Sequence, residues 1–235
     1  MVVAPPPKAI WRSICHASNR LPILPDNMQL METPRLILAS ASPRRRELLR
    51  EAGYDFEVHP ADIDEEDYPP QTLPAEIAQR LAMLKAEAMV GKFPAEVILA
   101  ADTVVAFGDV PLGKPENEKE AMEMLQLLSG TTHIVVTGVT VLRPSTRFRI
   151  STRVMSAVRM KVWTARELER YVASGDWQGK AGGYGIQDDR SDPFVTRMAG
   201  SQTNIVGLPM EATAELLASA GVLPSAAQVA SNDPK

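Results

Sequence analysis

Residues 36–53 read LILASASPRRRELLREAG, and this stretch decides how the chain is expected to fold. Its apolar start predicts a short buried strand over residues 36–39, and its second half predicts a helix over residues 43–52. A proline at the first helical position and a glycine just after the last one are the usual signs of helix ends. Strand, small-residue turn and helix in this order are typical of an α/β protein.

The start of this helix is cationic, because Arg44, Arg45 and Arg46 come directly after Ser40 and Ser42. A helix amino end carries partial positive charge and unpaired N–H groups, so Asp or Glu is the usual residue there. Three guanidinium groups in that place are most simply explained by a bound polyanion, and a phosphate chain fits best. The sequence therefore points to phosphate chemistry before any other kind.

Composition narrows the class of protein. The chain has 235 residues, of which 45% are hydrophobic, and this is enough to bury a substantial core in one domain. A net charge of −4 with interspersed signs argues against a protein-wide nucleic-acid surface. The single cysteine, Cys15, excludes an intramolecular disulfide and favours a reducing compartment, so we expect a cytoplasmic protein. No apolar run approaches the roughly 18 residues of a membrane span, and the three histidines are too far apart for a zinc motif.

Three regions are expected: a disordered extension over residues 1–32, a folded domain over 33–224 and a disordered tail over 225–235. The extension is rich in proline and has no apolar segment of the kind found in secretory signals. It is compatible with an organelle-targeting segment, because three cations precede any acidic residue, and equally with a true start at Met28 or Met31.

Strands and helices alternate through the folded domain. The pattern predicts helices over 74–90, 116–128, 165–174 and 210–218, the third with a capping box of Thr164 and Glu167. It predicts strands over 56–59, 97–101, 104–107, 110–112, 133–142, 148–163 and around 194–198. Because the strands over 104–112 form a hairpin, we expect an α/β fold with a mixed, twisted sheet and flanking helices.

Two carboxylates are candidates for chemistry. Asp102 comes directly after the apolar strand predicted over residues 97–101, and ligands of open α/β sheets bind at such strand ends. Its carboxylate can hold a divalent cation or take a proton from water, or it simply caps a turn. Glu65 lies in an acidic run over residues 62–67 that is most simply a solvated loop, and spacing alone does not select which acid binds a metal.

Two lysines and a glycine-rich segment are further candidates. Lys85 falls off the apolar stripe of its predicted helix, so a surface position is the default interpretation. Lys114, held between Gly113 and Pro115, suits a phosphate oxygen or a surface turn equally well. Residues 179–187, GKAGGYGIQ, can bring backbone N–H groups close to a ligand, with the Tyr184 ring as a stacking face, or they form a flexible connector. The P-loop and dinucleotide-binding motifs are both missing from the sequence.

Taken together, these features resemble the Maf family of nucleoside triphosphate pyrophosphatases, also known as septum-formation inhibitors. Each motif is weak alone, whereas the ordered set is specific and covers about residues 35–222. The motifs are LILASASPRR at 36–45, Leu81-Ala82 with Lys85-Ala86, Ala101-Asp102-Thr103, Gly113-Lys114-Pro115, residues 129–139, residues 180–187 and Gly207-Leu208-Pro209.

The resemblance implies an elongated, two-lobed fold with the active cleft between the lobes. It also implies hydrolysis of a nucleoside triphosphate to the monophosphate and pyrophosphate, with Mg²⁺ or Mn²⁺ as cofactor. By position, Asp102 is similar to the general base that activates water, and Glu65 is similar to a metal or water ligand, with Asp102 also at the metal. The residues that the resemblance assigns to the triphosphate are Ser40, Arg44, Arg45, Lys85 and Lys114.

Within the family, residues 181–187 are similar to those of the branch that acts on dTTP and UTP. The specificity positions of that branch map to Arg44, Thr103 and Gln187. A glutamine amide offers a donor and an acceptor, which can pair with the imide edge of uracil or thymine. Relatives that act on 7-methyl-GTP lack the Tyr-Gly-Ile-Gln tract. The branch pattern continues with glycine, whereas this chain has Asp188 and Asp189. The extra carboxylate near the base pocket either shifts the base preference or bounds a rearranged loop.

The leading hypothesis is therefore a housecleaning hydrolase that acts on dTTP, UTP and modified pyrimidine triphosphates. The same reaction on another base, such as 7-methyl-GTP, another methylated purine or cytosine, is the first alternative. A cell-division regulator that acts through a protein partner is the second alternative. We expect no membrane partner and no direct binding to nucleic acid, and the sequence leaves open whether the chain forms a homodimer.

Overall fold

The computed structural model describes residues 34–65, 68–186 and 195–225. All of these residues belong to the compact unit Thr33–Lys235. The predicted extension over 1–32 and nearly all of the predicted tail, residues 226–235, lie outside the described residues. No helix in the described ranges is both long enough and apolar enough to span a bilayer.

One mixed sheet organises the described residues. Its strands are β1 Leu36–Leu38, β2 Glu57–Val58, β3 Val97–Phe107, β4 Val110–Leu112, β5 Thr132–Arg143, β6 Phe148–Met160 and β7 Val195–Ala199. The order is β2-β1-β3-β5-β6-β7, with β4 paired to β3. β1 is parallel to β2 and β3, and the remaining pairs are antiparallel.

Six helices flank the sheet within the described ranges: α1 Pro43–Glu51, α2 Pro74–Glu87, α3 Glu118–Leu128, α4 Ala165–Ser174, α5 Gln202–Val206 and α6 Met210–Ser219. The predicted capping box at the start of α4 is present, with Thr164 and Glu167 each bonded to the other's backbone. The predicted fold class, a mixed α/β sheet with flanking helices, is confirmed.

Two strand predictions were wrong in extent. β3 runs without a break through Val97–Phe107, so Asp102 lies inside this strand and not after its end. The polar Asp102-Thr103 step interrupts the apolar run, and a pattern of hydrophobicity treats such a step as a strand end. β6 ends at Met160, three residues before the predicted end, where the chain turns toward α4.

The edge of β3 opposite β5 has a gap. β1 pairs with residues 97–99 and β4 pairs with residues 105–107, and no described strand pairs with residues 100–104 on this edge. The gap arises because β1 is only three residues long and the chain then turns through Ser40 into α1. Asp102 and Thr103, which point to opposite faces of β3, both line a cavity at this gap.

α2 lies unusually close to the sheet at Gly138 of β5. A Cβ atom built on Gly138 would stand 2.3 Å from the Ala78 carbonyl oxygen and 2.6 Å from the Gln79 nitrogen. Such distances are far below van der Waals contact, so only glycine allows this approach of helix and strand. Gly138 is also the register partner of Asp102, so the closest contact of α2 lies beside the centre of the gap.

Candidate active site

A cavity of about 350 Å³ opens at the gap in the sheet. The polar part of its wall brings together all the site residues that the sequence predicted within the described ranges: Ser40, Arg44, Arg45, Glu65, Lys85, Asp102, Thr103 and Lys114. The apolar part is formed by Val105, Val135, Ala181, Ile186, Ile205 and Val206. The remaining specificity position, Gln187, lies beyond the described residues.

The amino end of α1 forms one side of this cavity, through residues 40–44. Ser42 is the N-cap, as predicted, but its side chain makes no capping hydrogen bond, and the first turn contains no acidic residue. Arg44 is half-buried and makes no hydrogen bond or ion pair with the described residues. The helix start therefore presents positive charge to the cavity, and no acidic side chain in the described ranges pairs with Arg44.

Lys85 is a buried charge at the cavity wall, with only 7% of its surface exposed. Its ammonium nitrogen lies 2.5 Å from Asp102 Oδ1 and 2.7 Å from Glu65 Oε1. The default expectation of a surface lysine is therefore wrong. A lysine outside the apolar stripe of a helix can still be buried, because its long side chain can reach a carboxylate in the interior. The two contacts fix the Asp102 carboxylate in the gap of the sheet.

Among the described acids of the 62–67 run, Glu65 is the one that reaches the cavity, a choice that spacing left open. Its second oxygen, Oε2, accepts a hydrogen bond of 2.8 Å from Lys114, so the carboxylate bridges two lysines from distant parts of the chain. Partial burial would raise the pKa of Glu65, but the hydrogen bonds from Lys114 and Lys85 outweigh it and lower the pKa to about 2. Glu65 therefore stays ionised and occupies both ammonium groups.

Arg45 is buried and hydrogen-bonds backbone groups at the gap in the sheet. Only 8% of the residue is exposed. Its guanidinium donates to the carbonyls of Ala101 and Gly207, each at 2.7 Å. The carbonyl of Leu99 accepts from Ala39 of the β1 side, and the next carbonyl along this edge, that of Ala101, faces Arg45. Arg45 thus takes the place of the missing strand partner.

The same guanidinium also bonds two hydroxyls, those of Ser40 at 3.1 Å and Thr103 at 2.9 Å. Burial lowers the pKa of Arg45, while the nearby Asp102 carboxylate acts in the opposite direction. With four of its five N–H groups engaged, Arg45 is able to offer at most one to a ligand. Arg44, at the preceding position, is the more available of the two cations.

A chain of hydroxyls continues from Arg45 toward α5. Thr103 Oγ1 is 2.9 Å from Thr137 Oγ1, and Thr137 in turn donates to the backbone carbonyl of Asn204 at 3.1 Å. Asn204 is fully buried, and its side-chain amide donates to Val135 O and to Ser156 Oγ. This network connects the predicted specificity position Thr103 to the helix that carries Ile205 and Val206 of the cavity wall.

Sequence reasoning missed α5 and Thr137. A helix of five residues is too short to show a hydrophobic period, although the Ser201 N-cap, which accepts a hydrogen bond from Asn204 N, is a signal that could have located it. Thr137 lies inside an apolar strand, where a threonine is ordinary.

The donor set is compatible with a divalent cation, although the described residues contain no cluster of three or more acidic, histidine or cysteine side chains of the kind that forms a metal cage. Glu65 and Asp102 approach each other closely enough to contact the same ammonium, that of Lys85. Mg²⁺ is commonly held by one or two carboxylates together with substrate phosphates and water, so two converging carboxylates fit such an ion.

The family of the chain follows from comparison with known proteins. A family described as "Maf-like protein" matches residues 35–220, which is nearly all of the described fold. The chain belongs to the Maf family. The match contains every site residue discussed above and excludes the first 34 residues.

Two relatives illustrate the similarity within this family. A dTTP/UTP pyrophosphatase of Hyphomonas neptunium is 50% identical over 187 residues, which are 79% of this chain and 95% of the relative. A dTTP/UTP pyrophosphatase of Caulobacter vibrioides is 45% identical over 193 residues, 81% of this chain and 98% of the relative. A crystal structure of a nucleoside-triphosphatase, dITP/XTP pyrophosphatase, from Mycobacterium abscessus covers 86% of this chain and 100% of its own, with 15% identity and a TM-score of 0.39, which is too low to support an inference.

Proposed function

We propose that this Maf protein hydrolyses nucleoside triphosphates, preferentially dTTP and UTP, to the nucleoside monophosphate and pyrophosphate. The observation that carries the proposal is the buried Lys85 ammonium, which is held between Asp102 and Glu65 beside the cationic start of α1. The names of the two similar dTTP/UTP pyrophosphatases support the substrate class. The activity would act as housecleaning, by removing unwanted nucleotides, and the single cysteine supports a cytoplasmic location.

The triphosphate would bind along the polar wall of the cavity. Arg44 and the amino end of α1 are available to phosphate oxygens, because no described side chain neutralises them. Lys85 and Lys114 are both paired with Glu65, and phosphate oxygens carry the same charge as this carboxylate. Binding of the triphosphate would therefore replace Glu65 as the partner of at least one lysine.

Asp102 would act as the general base. Its Oδ1 atom is fixed by Lys85, which leaves Oδ2 to accept the proton of a water molecule. The deprotonated water would attack the α-phosphorus, the bond from this phosphorus to the bridging oxygen would break, and pyrophosphate would leave with that oxygen. The surrounding cations would stabilise the negative charge that collects on the leaving group.

Glu65 and Asp102 would hold a Mg²⁺ or Mn²⁺ ion together with phosphate oxygens, and the bound cation would neutralise the triphosphate. Release of Glu65 from the lysines, as the triphosphate binds, would make this carboxylate available to the ion. Glu65 would therefore exchange its partners during substrate binding.

The nucleobase would lie against the apolar part of the cavity. Thr103 lies beside this wall, and its hydroxyl is already engaged with Arg45 and Thr137, so its orientation is fixed before a base arrives. A preformed apolar site with a few oriented polar groups is the usual arrangement for recognition of a planar ligand. Gln187 comes directly after Ile186 in the sequence and remains the predicted partner of the imide edge.

The test is a panel of natural and modified nucleoside triphosphates, with pyrophosphate and orthophosphate measured separately, in the presence of Mg²⁺ or of a chelator. We expect pyrophosphate from dTTP and UTP, with little from CTP or 7-methyl-GTP and none without metal. Release of orthophosphate would contradict cleavage at the α-phosphorus. Absence of turnover on every nucleotide would contradict the proposed enzyme.

A further inference from the structure

Tyr184 lies in the cavity wall, but it is not the free stacking face that the sequence suggested. Only 5% of the residue is exposed, and its ring packs in the main hydrophobic core. Its hydroxyl lies 2.5 Å from Nε2 of His133, and the two rings meet edge to face with centroids 5.3 Å apart. The hydroxyl therefore anchors the glycine-rich segment to β5.

His133 is buried beneath this segment, with 1% of its surface exposed. Burial lowers its pKa to about 4, so the imidazole is neutral at physiological pH. Its other ring nitrogen, Nδ1, has no hydrogen-bond partner among the described residues. Nε2 is thus the nitrogen that His133 offers to Tyr184, and a phenylalanine in its place would leave the buried Tyr184 hydroxyl without this partner.

A second point also fixes the segment. Gly182 donates its backbone N–H to the carbonyl of Gly113 at 3.0 Å, directly before Lys114. Gly182 has a positive φ of +73°, and a Cβ atom at this position would lie 2.9 Å from Val105 Cγ1. The segment is therefore held at Gly182 and at Tyr184, and Ile186 of the cavity wall follows two residues after the second contact.

We propose that His133 is a positioning residue for nucleobase recognition, acting through the Tyr184 hydroxyl on the cavity wall formed by Tyr184 and Ile186. The proposal rests on the proposed function for the identity of the ligand, a pyrimidine nucleotide. His133 itself lines no part of the cavity. It would therefore act on a bound nucleotide only indirectly, through its hydrogen bond with Tyr184. Its loss should therefore alter discrimination between bases and leave the binding of phosphate groups intact.

The experiment compares His133→Phe, Tyr184→Phe and the double variant with the unmodified chain. Tyr54→Phe is the matched control, because Tyr54 is also a buried tyrosine but lies outside the cavity wall. Two ratios are measured: kcat/KM for UTP against CTP, and the dissociation constants of UMP against CMP by calorimetry. Inhibition by inorganic triphosphate reports on the phosphate-binding part, and thermal unfolding reports on the fold.

We expect both single variants to reduce the UMP-to-CMP discrimination by about fivefold, which corresponds to loss of one hydrogen bond. The double variant should lose no more than either single variant, because the two residues act through the same contact. Inhibition by inorganic triphosphate should stay within about twofold of the unmodified chain in every variant, as should the discrimination of Tyr54→Phe.

Unchanged discrimination in His133→Phe would overturn the proposal, and so would effects that multiply in the double variant. A loss of triphosphate inhibition parallel to the loss of discrimination would also overturn it, since this would indicate a general disturbance of the site. The UMP and CMP measurements need neither metal nor turnover, so a chain that hydrolyses nothing would contradict the proposed function while still testing the role of His133.

Discussion

Arg45→Met removes the guanidinium that replaces a strand partner at the gap of the sheet, while keeping an unbranched side chain that suits a helix. The carbonyls of Ala101 and Gly207 lose their 2.7 Å hydrogen bonds. Thr103 keeps its 2.9 Å contact with Thr137, so its hydroxyl is not left alone. The damage is therefore concentrated in two buried carbonyl groups.

The size of the effect can be worked out from these contacts. A buried polar group left without a partner costs about 1–3 kcal/mol. The Ala101 carbonyl loses its partner and the Gly207 carbonyl keeps only a long hydrogen bond of 3.4 Å from Thr103, so the two together cost roughly 2–5 kcal/mol. Burial of the guanidinium itself opposes folding, as the lowered pKa of Arg45 indicates, and methionine does not carry this cost. We therefore expect Arg45→Met to lower the free energy of unfolding by about 2–4 kcal/mol.

The assay is urea unfolding monitored by tryptophan fluorescence, because Trp163 and Trp177 are both buried and report on the core. Thermal unfolding gives a second measure, with an expected decrease in Tm of roughly 5–15 °C for a domain of this size. Arg46→Met is the matched control on the same helix, since Arg46 makes no hydrogen bond or ion pair to the described residues and lines no part of the cavity. Its effect should stay within about 0.5 kcal/mol.

A loss below about 1 kcal/mol for Arg45→Met, with an unchanged urea dependence, would refute this reasoning. It would mean that the two carbonyls find other partners, and that the guanidinium is not what holds the gap. Arg45→Lys distinguishes charge from geometry, because an ammonium keeps the charge but has three donors and no planar fork. We expect this variant to be intermediate in stability.

Three further predictions concern the cavity. Asp102→Asn should lower kcat for pyrophosphate release by about 10²–10⁴-fold, while calorimetry should still detect nucleotide binding. Near-normal pyrophosphate release at saturating Mg²⁺ would contradict the assignment of Asp102 as the base. With a chelator present, Glu65→Gln should bind inorganic triphosphate more tightly than the unmodified chain, because the carboxylate no longer competes for Lys85 and Lys114. Weaker binding would contradict the proposal that triphosphate replaces Glu65 as the partner of these lysines. The pKa of His133 in the folded chain is about 4, below its usual value of 6.5. Between these pH values the unfolded chain binds a proton at this histidine that the folded chain does not, so the free energy of unfolding should fall by about 3 kcal/mol as the pH drops from 6.5 to 4. His133→Phe should lack this part of the acid dependence in urea titrations at stepped pH, and an identical pH profile would show that the imidazole is not buried in its neutral form.

The fold was largely predictable because each element carries its own signal. The proline and glycine around α1, the capping box of α4 and the long apolar strands are local features, and local features can be recognised in order along a chain. The extent of β3 was predicted wrongly because the charged Asp102 interrupts the apolar run. Inside the strand its carboxylate is stabilised by Lys85 of another element, and such a long-range pair cannot be recognised from the hydrophobic periodicity.

The site was predictable as a set of residues but not as an arrangement. Nothing in the spacing of Glu65, Lys85 and Lys114 indicates that one carboxylate bridges both ammonium groups, since this depends on how three loops and helices pack. The assignment of Arg45 beside Arg44 as equal partners of the triphosphate also came from position alone. Only the packed structure separates the guanidinium that bonds backbone carbonyls from the one that remains available.

The contact of α2 with Gly138 limits how this protein can be altered. A methyl group at that position would displace the helix backbone by roughly an ångström, and Lys85, two turns further along α2, would be withdrawn from Asp102. An alanine there is conservative in volume yet would disturb Asp102, the proposed proton acceptor, from the neighbouring strand. Redesign of this enzyme for other nucleotides should therefore leave α2 and Gly138 unchanged. Substitutions should be made at the apolar residues of the cavity wall instead.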